Sequence, residues 1–211
     1  MHSHIHFILE QGPNANSDEI CALVDLYHAT NGDKWLTKTN WCSNKHVSSW
    51  YKIGMLHGGV HSVVMSSNGM DGCLPPSIGK LKQLRMIELA TMPGLRGIIP
   101  SELCSITSLK RLCICRCNLS GPIPNEIGEL IELEELQLFG NQLSGLIPSS
   151  ISKLTNLKLL SFGEYTGGNS FTSGALPTCI KSLINLEALF MANCNITGMV
   201  INLNIYKYQI F

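Results

Sequence analysis

Charged residues are scarce in this 211-residue chain: they make up 14% of it, against about 25% in a typical soluble domain. The 15 basic residues equal the 15 acidic ones, so the formal net charge is zero. A chain without a net positive field has no long-range attraction for a polyanion. The composition therefore predicts no nucleic-acid partner.

A long apolar run and a leader-like start are also missing. No apolar run approaches the roughly 20 residues that span a bilayer, so we predict no membrane insertion by this chain. The opening MHSHIHFILEQGPNAN has no basic region before its short apolar run. Nine cysteines is an odd number, so at least one cannot pair within the chain. These features favour an intracellular location, with an extracellular or membrane-associated one as the alternative if the chain is a receptor fragment.

Local signatures of catalysis or cofactor binding are absent as well. The histidines of HSHIH lie in a tail that offers no second shell of ligands to hold a metal. HGGVH lacks the helix and the intervening Glu of a zinc-protease motif, and SIGKL lacks the Gly and the Ser or Thr of a phosphate-binding loop. We therefore predict no enzymatic activity, no catalytic residue, no metal site and no cofactor.

What the sequence does contain is a leucine-rich phrase that recurs at a nearly fixed period. Six units begin at His57, Leu81, Ile106, Leu130, Leu154 and Leu183. Each unit has two apolar residues separated by one, then Asn or Cys, then Gly and usually Pro, as in LQLFGNQLSGLIP. One such unit cannot bury its apolar face alone, so stacked neighbours supply a continuous core. The repeat therefore predicts a solenoid.

The segment NLSGPIPNEIGELIELEELQLFGNQLSGLIPSSISKLTNLKLL resembles the plant-type leucine-rich repeat, whose second arm carries LSGxIP. The resemblance implies an α/β solenoid: a curved, right-handed superhelix with a parallel β-sheet on its concave side. Family members mostly bind proteins, peptides or other ligands and generally lack catalysis of their own. The resemblance therefore implies a non-catalytic scaffold with a protein or peptide ligand.

The chain divides into four predicted parts. Residues 1–16 form a disordered tail, 17–56 an N-terminal cap, 57–200 the six repeats and 201–211 a divergent tail. The tail INLNIYKYQIF has neither a repeat phrase nor a recognisable cap. Either it folds over the last unit, or the chain is a truncated or divergent product of a longer gene, which we favour.

The predicted cap begins with the helical pattern SDEICALVDLYHATNG. Ser17 is the predicted N-cap, and Gly32 suits the C-terminal stop. All three tryptophans of the chain follow the helix and predict an aromatic plug over the first repeat: Trp35, Trp41 and Trp50. This arrangement resembles the caps of protist and bacterial repeat proteins.

The outward positions of the concave strands are the best candidates for partner binding. Exposed aromatic residues with interspersed Arg are typical of protein interfaces. The predicted binding residues are Glu88, Arg111, Cys113, Cys115, Arg116, Glu135, Gln137, Phe139, Ser161, Glu164 and Phe190. The longer fifth unit, with GEYTGGNSFTSG, predicts an extended loop at the edge of the sheet that adds to this surface.

The run CICRC in the third unit separates into two environments. Cys113 and Cys115 are predicted to project from the concave face as exposed thiols, whereas Cys117 takes the Asn position and points inward. Two cysteines two apart on one strand are poorly oriented for a mutual disulfide. Arg111 and Arg116 would stabilise thiolates here, so a redox or metal role remains an alternative.

Two alternatives to a partner-binding scaffold remain open from the sequence. The first is a truncated ectodomain of a receptor-like kinase, and the second is a secreted enzyme inhibitor. Against the second, the cap has Ser49 and Met55 where secreted plant-type caps commonly carry cysteines. The sequons at Asn118 and Asn195 would accept glycans if the protein were secreted, although the family phrase NLSG generates sequons by itself.

Overall fold

Helix α1, Ser17–Ala29, is the first element of the computed structural model, which describes residues 16–164, 168–173 and 177–196 and the backbone of 207–209. The N-cap is Asn16 rather than the predicted Ser17: the Asn16 side chain accepts a hydrogen bond from the Asp18 N–H at 3.1 Å. Asn and Ser cap helices about equally well, so residue type could not separate the two candidates. The rest of the predicted N-terminal tail lies outside the described residues.

The C-terminal end of α1 also differs from the prediction. Thr30 is the C-cap, and Asn31, not Gly32, adopts the left-handed conformation with a φ of 57°. Asn tolerates this conformation better than most residues because its short side chain hydrogen-bonds locally. Gly32 is needed for space instead, since a Cβ there would lie 2.2 Å from the ring of Tyr27.

The three tryptophans pack as one cluster next to the helix. The ring centroids of Trp35 and Trp41 are 4.9 Å apart, and those of Trp41 and Trp50 are 5.2 Å apart. The indole N–H of Trp35 donates to the carbonyl of Thr30, and that of Trp41 to the carbonyl of Tyr51, both at 2.9 Å. The buried N–H groups are therefore satisfied, and the cluster joins the apolar core of the first repeats.

Successive repeats add strands to an open main sheet. Its strands, in pairing order, are β1 (Ile53–Leu56), β2 (Gly59–Ser66), β4 (Met86–Gly97), β5 (Arg111–Gly121), β6 (Glu135–Gln137), β8 (Leu159–Ser161), β10 (Ala188–Phe190) and β11 (Lys207–Gln209). Among the described strands, only β1 and β2 pair antiparallel. The parallel sheet of a solenoid is confirmed.

A second, shorter ladder follows the return arms. Strand β3 (Asp71–Cys73) pairs with the end of β4, and the end of β5 pairs with β7 (Gln142–Gly145), which pairs with β9 (Ser170–Phe171). Each arm then enters a 3-10 helix capped by proline: Pro76–Lys80, Ser101–Ser105, Asn125–Glu129, Ser149–Lys153 and Thr178–Ser182. Two further 3-10 helices lie in the cap, Gly32–Lys34 and Val47–Ser49.

Alternation along each concave strand directs one set of side chains into the core. Leu112 and Ile114 of β5 are fully buried, as are Leu136 of β6 and Leu138 just after it. Because side chains of a strand alternate between its two faces, the residues between them lie on the opposite, concave face. The leucine pairs therefore fix which residues reach the outer surface of the main sheet.

Buried amides connect each turn to the part of the chain before it. Asn141 donates to the carbonyl of Ile114 at 2.7 Å and accepts from the N–H of Leu119 at 3.2 Å, both in the preceding repeat. Asn169 does the same one repeat later: it donates to Leu138 O and accepts from Leu143 N, both at 2.9 Å. The sequence reading missed Asn169, because the longer fifth unit displaces it from the twelfth position.

The end of the chain contributes one short strand. The backbone of β11 pairs in parallel with β10, with Leu189 opposite Tyr208. This pairing occupies backbone groups at the edge of the last concave strand. The remaining tail residues lie outside those that the structure describes.

Candidate binding face

The parallel register of the main sheet lines up equivalent repeat positions in two rows on the concave face. The first, here called the eighth-position row, contains Glu88, Cys113, Gln137, Ser161 and Phe190. The second, the sixth-position row, contains Met86, Arg111, Glu135, Leu159 and Ala188. Both rows face away from the leucine core. They bring seven of the eleven predicted site residues onto one surface.

Exposure divides the predicted site residues into two groups. Partly or fully exposed are Glu88, Arg111, Arg116, Glu135, Gln137, Phe139, Glu164 and Phe190. The other three are buried, contrary to the prediction: Cys113 is 6% exposed, Cys115 2% and Ser161 4%. All three have small side chains that do not reach past the longer residues flanking them. Strand direction alone therefore predicts the face but not the exposure.

Arg111 lies between two carboxylates on the sixth- and eighth-position rows. Its guanidinium nitrogens are 3.5 Å from a Glu88 oxygen and 3.3 Å from a Glu135 oxygen. Glu135 also accepts a hydrogen bond from the Gln137 amide at 3.1 Å. The Arg111–Glu135 contact is an ion pair rather than a well-aligned hydrogen bond, because the Nε group has no hydrogen-bond partner in suitable geometry. One positive charge thus faces two negative ones, so Arg111 neutralises only one of the two carboxylates.

The sulfur atoms of Cys113 and Cys115 lie 3.4 Å apart, and both thiols are free. The pKa of Cys113 is lowered, mainly because Cys115 donates a hydrogen bond to its sulfur, with a smaller contribution from Arg111. The pKa of Cys115 is raised by the same contact and by burial. The predicted Arg111 effect is thus present at Cys113 but secondary to the neighbouring thiol.

Cys117 points inward, as the repeat register indicated. Its thiol contacts the carbonyl of Leu89 at 3.8 Å and that of Cys115 at 3.4 Å, and burial raises its pKa to about 11. A buried thiol of this kind is inert as a nucleophile. The three cysteines therefore form one closely spaced pair on the concave side and one separate core residue.

Arg116 and Glu164 join the third repeat to the fifth. Two guanidinium nitrogens of Arg116 donate to one Glu164 oxygen at 3.0 and 2.8 Å, and the guanidinium carbon lies 5.7 Å from the centre of the Phe139 ring. The bridge passes over Gly140 of the fourth repeat, where a Cβ would lie 2.7 Å from Glu164 and 2.9 Å from Arg116. Glycine therefore leaves the space that the bridge occupies.

The eleventh position of the repeat has a left-handed backbone in five of the six units. The φ angles lie between 50° and 67° at Ser67, Thr91, Arg116, Gly140 and Asn193. A left-handed residue interrupts the alternation of a strand, because it turns the following residue to the side that alternation would not give. This break points Arg116 outward and the next residue, Cys117, into the core.

A depression of about 340 Å³ lies beside the Arg116–Glu164 bridge. Pro93, Asn118, Gln142 and Gly168 are among the residues that line it. Asn118 and Gln142 are exposed and hydrogen-bond each other at 3.2 Å. Residues of the second to the fifth repeat line it, from Pro93 to Gly168.

The predicted fifth-unit loop is only partly described. Residues 165–167 and 174–176 lie outside the described part, whereas Asn169 is buried and Ser170–Phe171 form β9. Phe171 packs edge-on against Phe162, with ring centroids 5.4 Å apart. Much of the segment therefore belongs to the return arm of the repeat rather than to a free loop.

A row of alternating charges lies just before the concave strands, at the fifth position of the repeats. Lys110 and Lys158 contact opposite oxygens of Glu134 at 2.9 and 2.7 Å, and Glu187 follows in the last repeat. The two lysines, Lys158 first, lower the pKa of Glu134 to about 2. This groove of about 400 Å³ was missed by the sequence reading. The alternation of sign at one repeat position was the signal that would have revealed it.

The two sequon asparagines are both hydrogen-bonded through their side-chain amides. Asn118 donates to the carbonyl of Pro93, and Asn195 donates to that of Phe171 at 2.9 Å. Both side chains are exposed. Glycan attachment at these positions stays a prediction.

Neither a metal-binding cluster nor a membrane-spanning helix is present in the described part of the chain. No group of three or more His, Cys, Asp or Glu side chains there is arranged to hold a metal ion. Within the same residues, no helix has the length and apolarity that crossing a bilayer requires.

A family model described as a leucine-rich repeat region matches residues 59–204, more than half of the chain. The chain belongs to the leucine-rich-repeat family. A search of curated proteins returned no match. Solved structures of similar fold include a plant ice-binding protein, with a TM-score of 0.78 and 24% identity over 87% of this chain.

Other similar structures are ectodomains of plant receptor kinases. That of SOBIR1 from Arabidopsis thaliana has a TM-score of 0.62 and 24% identity, covering 83% of this chain and 92% of that one. That of Arabidopsis HAESA, solved with the peptide hormone IDA and the co-receptor SERK1, has a TM-score of 0.60 and 27% identity over 86% of this chain. This leucine-rich-repeat chain spans 58% of the ice-binding protein and 34% of HAESA.

Proposed function

We propose that this leucine-rich-repeat protein is a non-catalytic scaffold that binds an extended peptide or protein segment along its concave face. The observation that supports the proposal most directly is the in-register sixth- and eighth-position rows. They place partly exposed side chains from five consecutive repeats on one continuous surface. A segment lying across the strands would contact one or two side chains of every repeat.

The side chains of the concave face favour a partner with apolar anchors and few charges. The charges of Arg111 and Arg116 are each paired with carboxylates of the same face. Displacing such pairs requires compensation for each separated charge. Phe139 and Phe190, in contrast, are partly exposed aromatic rings. Aromatic residues of this kind commonly contribute most of the binding energy at protein interfaces.

The ectodomain of HAESA was solved with a peptide hormone, and this likeness supports a peptide as the partner in this proposal. The fifth-repeat segment would flank one side of the bound peptide at the edge of the sheet, beside the 340 Å³ depression and the Arg116–Glu164 bridge. A receptor-ectodomain fragment remains compatible with the same concave surface. The concave face is thus the feature that both versions of the proposal share.

A random-peptide display library tests the proposal without a known partner. Peptides selected on the wild-type protein are retested on Phe139→Ala and Phe190→Ala, with Ile131→Ala as the control. Ile131 is 53% exposed and lies outside the concave rows. We expect the two Phe variants to weaken binding about tenfold or more, as interface anchors do, while the melting temperature changes little. Selected peptides that bind all three variants like the wild type would exclude this surface.

Ice binding is a second candidate, carried by the second ladder rather than by the concave face. The outward residues of β5, β7 and β9, together with Thr172 just after β9, are uncharged and polar: Asn118, Ser120, Gln142, Ser144, Ser170 and Thr172. The ladder pairs Ser120 with Gln142 and Ser144 with Ser170, and paired strands lie about 4.8 Å apart. A regular, uncharged surface is what a crystal face of water requires, and one structure of similar fold is an ice-binding protein.

Ice-recrystallisation inhibition separates this candidate from peptide binding. Ser144→Lys places a charge at the centre of the second ladder and is expected to abolish the inhibition, while Phe139→Ala leaves it unchanged. Wild-type protein that leaves ice growth unaffected would reject the candidate. That result would leave the concave-face proposal standing.

A further inference from the structure

The thiol pair of Cys113 and Cys115 is the one chemically reactive group on the concave face that the proposed function does not use. Both side chains project to the same side of β5, because they are two residues apart on one strand. Their sulfur atoms are 3.4 Å apart and one thiol hydrogen-bonds to the other. Two sulfur ligands held this close can both coordinate the same metal or metalloid atom.

The sulfur–sulfur distance determines which coordination geometry the bound atom can have. A centre about 2.3 Å from each sulfur, the usual distance in zinc thiolates, would have a sulfur–centre–sulfur angle of about 95°. A linear two-coordinate ion such as Cu(I) would need the sulfurs about 4.6 Å apart on the same bond length. A tetrahedral zinc site needs four ligands, and the described residues offer no group of three. A pyramidal centre with angles near 95° fits the pair as it stands.

A mutual disulfide fits less well. Bonding the two sulfurs directly would require them to approach from 3.4 Å to about 2.05 Å while the strand stays extended. Residues two apart on a strand are separated by about 6.7 Å, near the upper end of the range that disulfides tolerate. Insertion of one atom between the sulfurs avoids this distortion of β5, which pairs with β4 and β6 through these residues.

We propose that Cys113 and Cys115 form a two-thiol chelating site for a pyramidal thiophilic centre of the class of trivalent arsenic. With arsenous acid, two S–H and two As–O bonds break, two As–S bonds form, and two water molecules leave. The third hydroxyl stays on arsenic, and no electrons are transferred. Because its pKa is lowered, Cys113 provides the first thiolate to bond to arsenic, and Cys115 then forms the second As–S bond.

The surroundings of the pair admit a small, neutral reagent. Cys113 lies between Glu88 of β4 and Gln137 of β6. Arg111 is two residues before Cys113 on β5 itself. These three side chains are only partly buried. Their movement opens the sulfurs without unfolding the strand. Occupation of the site would also place a new group at the centre of the concave face.

Arsenous acid, added to the 211-residue chain in the presence of excess glutathione, tests the site. We expect the wild type to retain about one arsenic per chain, because the second sulfur acts at high effective concentration. Cys113→Ser and Cys115→Ser should each weaken retention about 100-fold, since either change leaves a single thiol. Cys117→Ser and Cys73→Ser are the matched controls and should retain arsenic like the wild type.

Tryptic mapping gives a readout that does not depend on how the variants fold. Cleavage after Arg111 and Arg116 yields the peptide LCICR, which contains Cys113 and Cys115 but not Cys117. Arsenic bound before digestion should protect both cysteines of this peptide from alkylation. Wild-type protein that retains no arsenic, or equal retention by Cys113→Ser, would overturn the proposal. Loss of retention in Cys117→Ser would overturn it too, whatever the outcome of the peptide-binding experiments.

Discussion

Arg116 of the third repeat and Glu164 of the fifth are joined by two hydrogen bonds of 3.0 and 2.8 Å that pass over the fourth repeat. The bridge is exposed on its Arg116 side, with 58% of that side chain accessible, whereas Glu164 is 14% accessible. Exposed ion pairs contribute little to stability by themselves. Its importance is geometric, since it links two repeats across the concave face and orients Arg116 over Phe139.

Gly140→Ala should destabilise the protein by more than the usual amount for a left-handed position. A φ of 67° disfavours any residue with a Cβ by about 1–2 kcal/mol. The new Cβ would also collide with the side chains of Arg116 and Glu164. Urea denaturation measures the free energy of unfolding. Gly58→Ala is the matched control, because Gly58 has a φ of 82° and no atom within 4 Å of the added Cβ. Equal losses in the two variants would show that the bridge does not constrain position 140.

Asn169→Ala should cost about 3 kcal/mol or more in the free energy of unfolding. The buried side chain satisfies the carbonyls of Leu138 and Phe162 and the N–H of Leu143. Each buried polar group left without a partner costs about 1–3 kcal/mol. Asn156→Ala removes an exposed amide that donates to Ile131 at 3.0 Å and serves as the control. A loss for Asn169 no larger than that for Asn156 would contradict the role of the buried amide.

Stability should fall on acidification through the protonation of Glu134. The pKa of this carboxyl is about 2 in the folded protein, below its ordinary value of 4.5, because Lys158 and Lys110 bind the charged form. Its contribution is therefore fully present above pH 4.5 and is lost as the pH falls toward 2. The free energy of unfolding of Glu134→Gln, measured in urea across this window, should depend less on pH than that of the wild type. Glu129→Gln, at an exposed position on a 3-10 helix, is expected to behave like the wild type, and an unchanged slope for Glu134→Gln would refute the assignment.

Thiol labelling of the native protein with N-ethylmaleimide should modify Cys73 first. Cys73 is exposed, whereas Cys113, Cys115 and Cys117 are all buried. A bulky maleimide should therefore reach these three only after unfolding in guanidinium, unlike the much smaller arsenous acid. Mass spectrometry of tryptic peptides reads out each position. Rapid labelling of Cys113 and Cys115 in the native state would contradict the burial that the structure gives them.

The sequence predicted the repeat register because that register depends on local alternation. Leu112 and Ile114, separated by one residue, place Cys113 on the opposite face whatever the rest of the fold does. The exposure of Cys113 could not be predicted in the same way, since it depends on side chains of neighbouring strands. Longer neighbouring side chains cover a short side chain from solvent even when it points outward.

Asn169 shows a second limit of reading by period. The insertion in the fifth unit moves the amide four residues from its usual position, since counting from Leu154 places Tyr165 there. Only the three-dimensional demand for a buried hydrogen-bond partner identifies Asn169 as the equivalent residue. The predicted helix cap, Ser17, was wrong for a simpler reason: the adjacent Asn16 is about equally suited to the position.

The backward direction of the buried amides gives the solenoid a polarity of assembly. Asn68 bonds to Thr37 in the cap, Asn141 to the third repeat and Asn169 to the fourth, so each turn is completed by the segment synthesised before it. Cys194, in the sixth repeat, donates to Met191 of its own turn, and the neighbouring Asn195 donates back to Phe171 of the fifth repeat. Fraying should therefore start at the C-terminal repeat and progress toward the tryptophan cluster. In hydrogen exchange, amide protection would decrease from the first repeat to the last, because the repeats next to the tryptophan cluster would be the last to open.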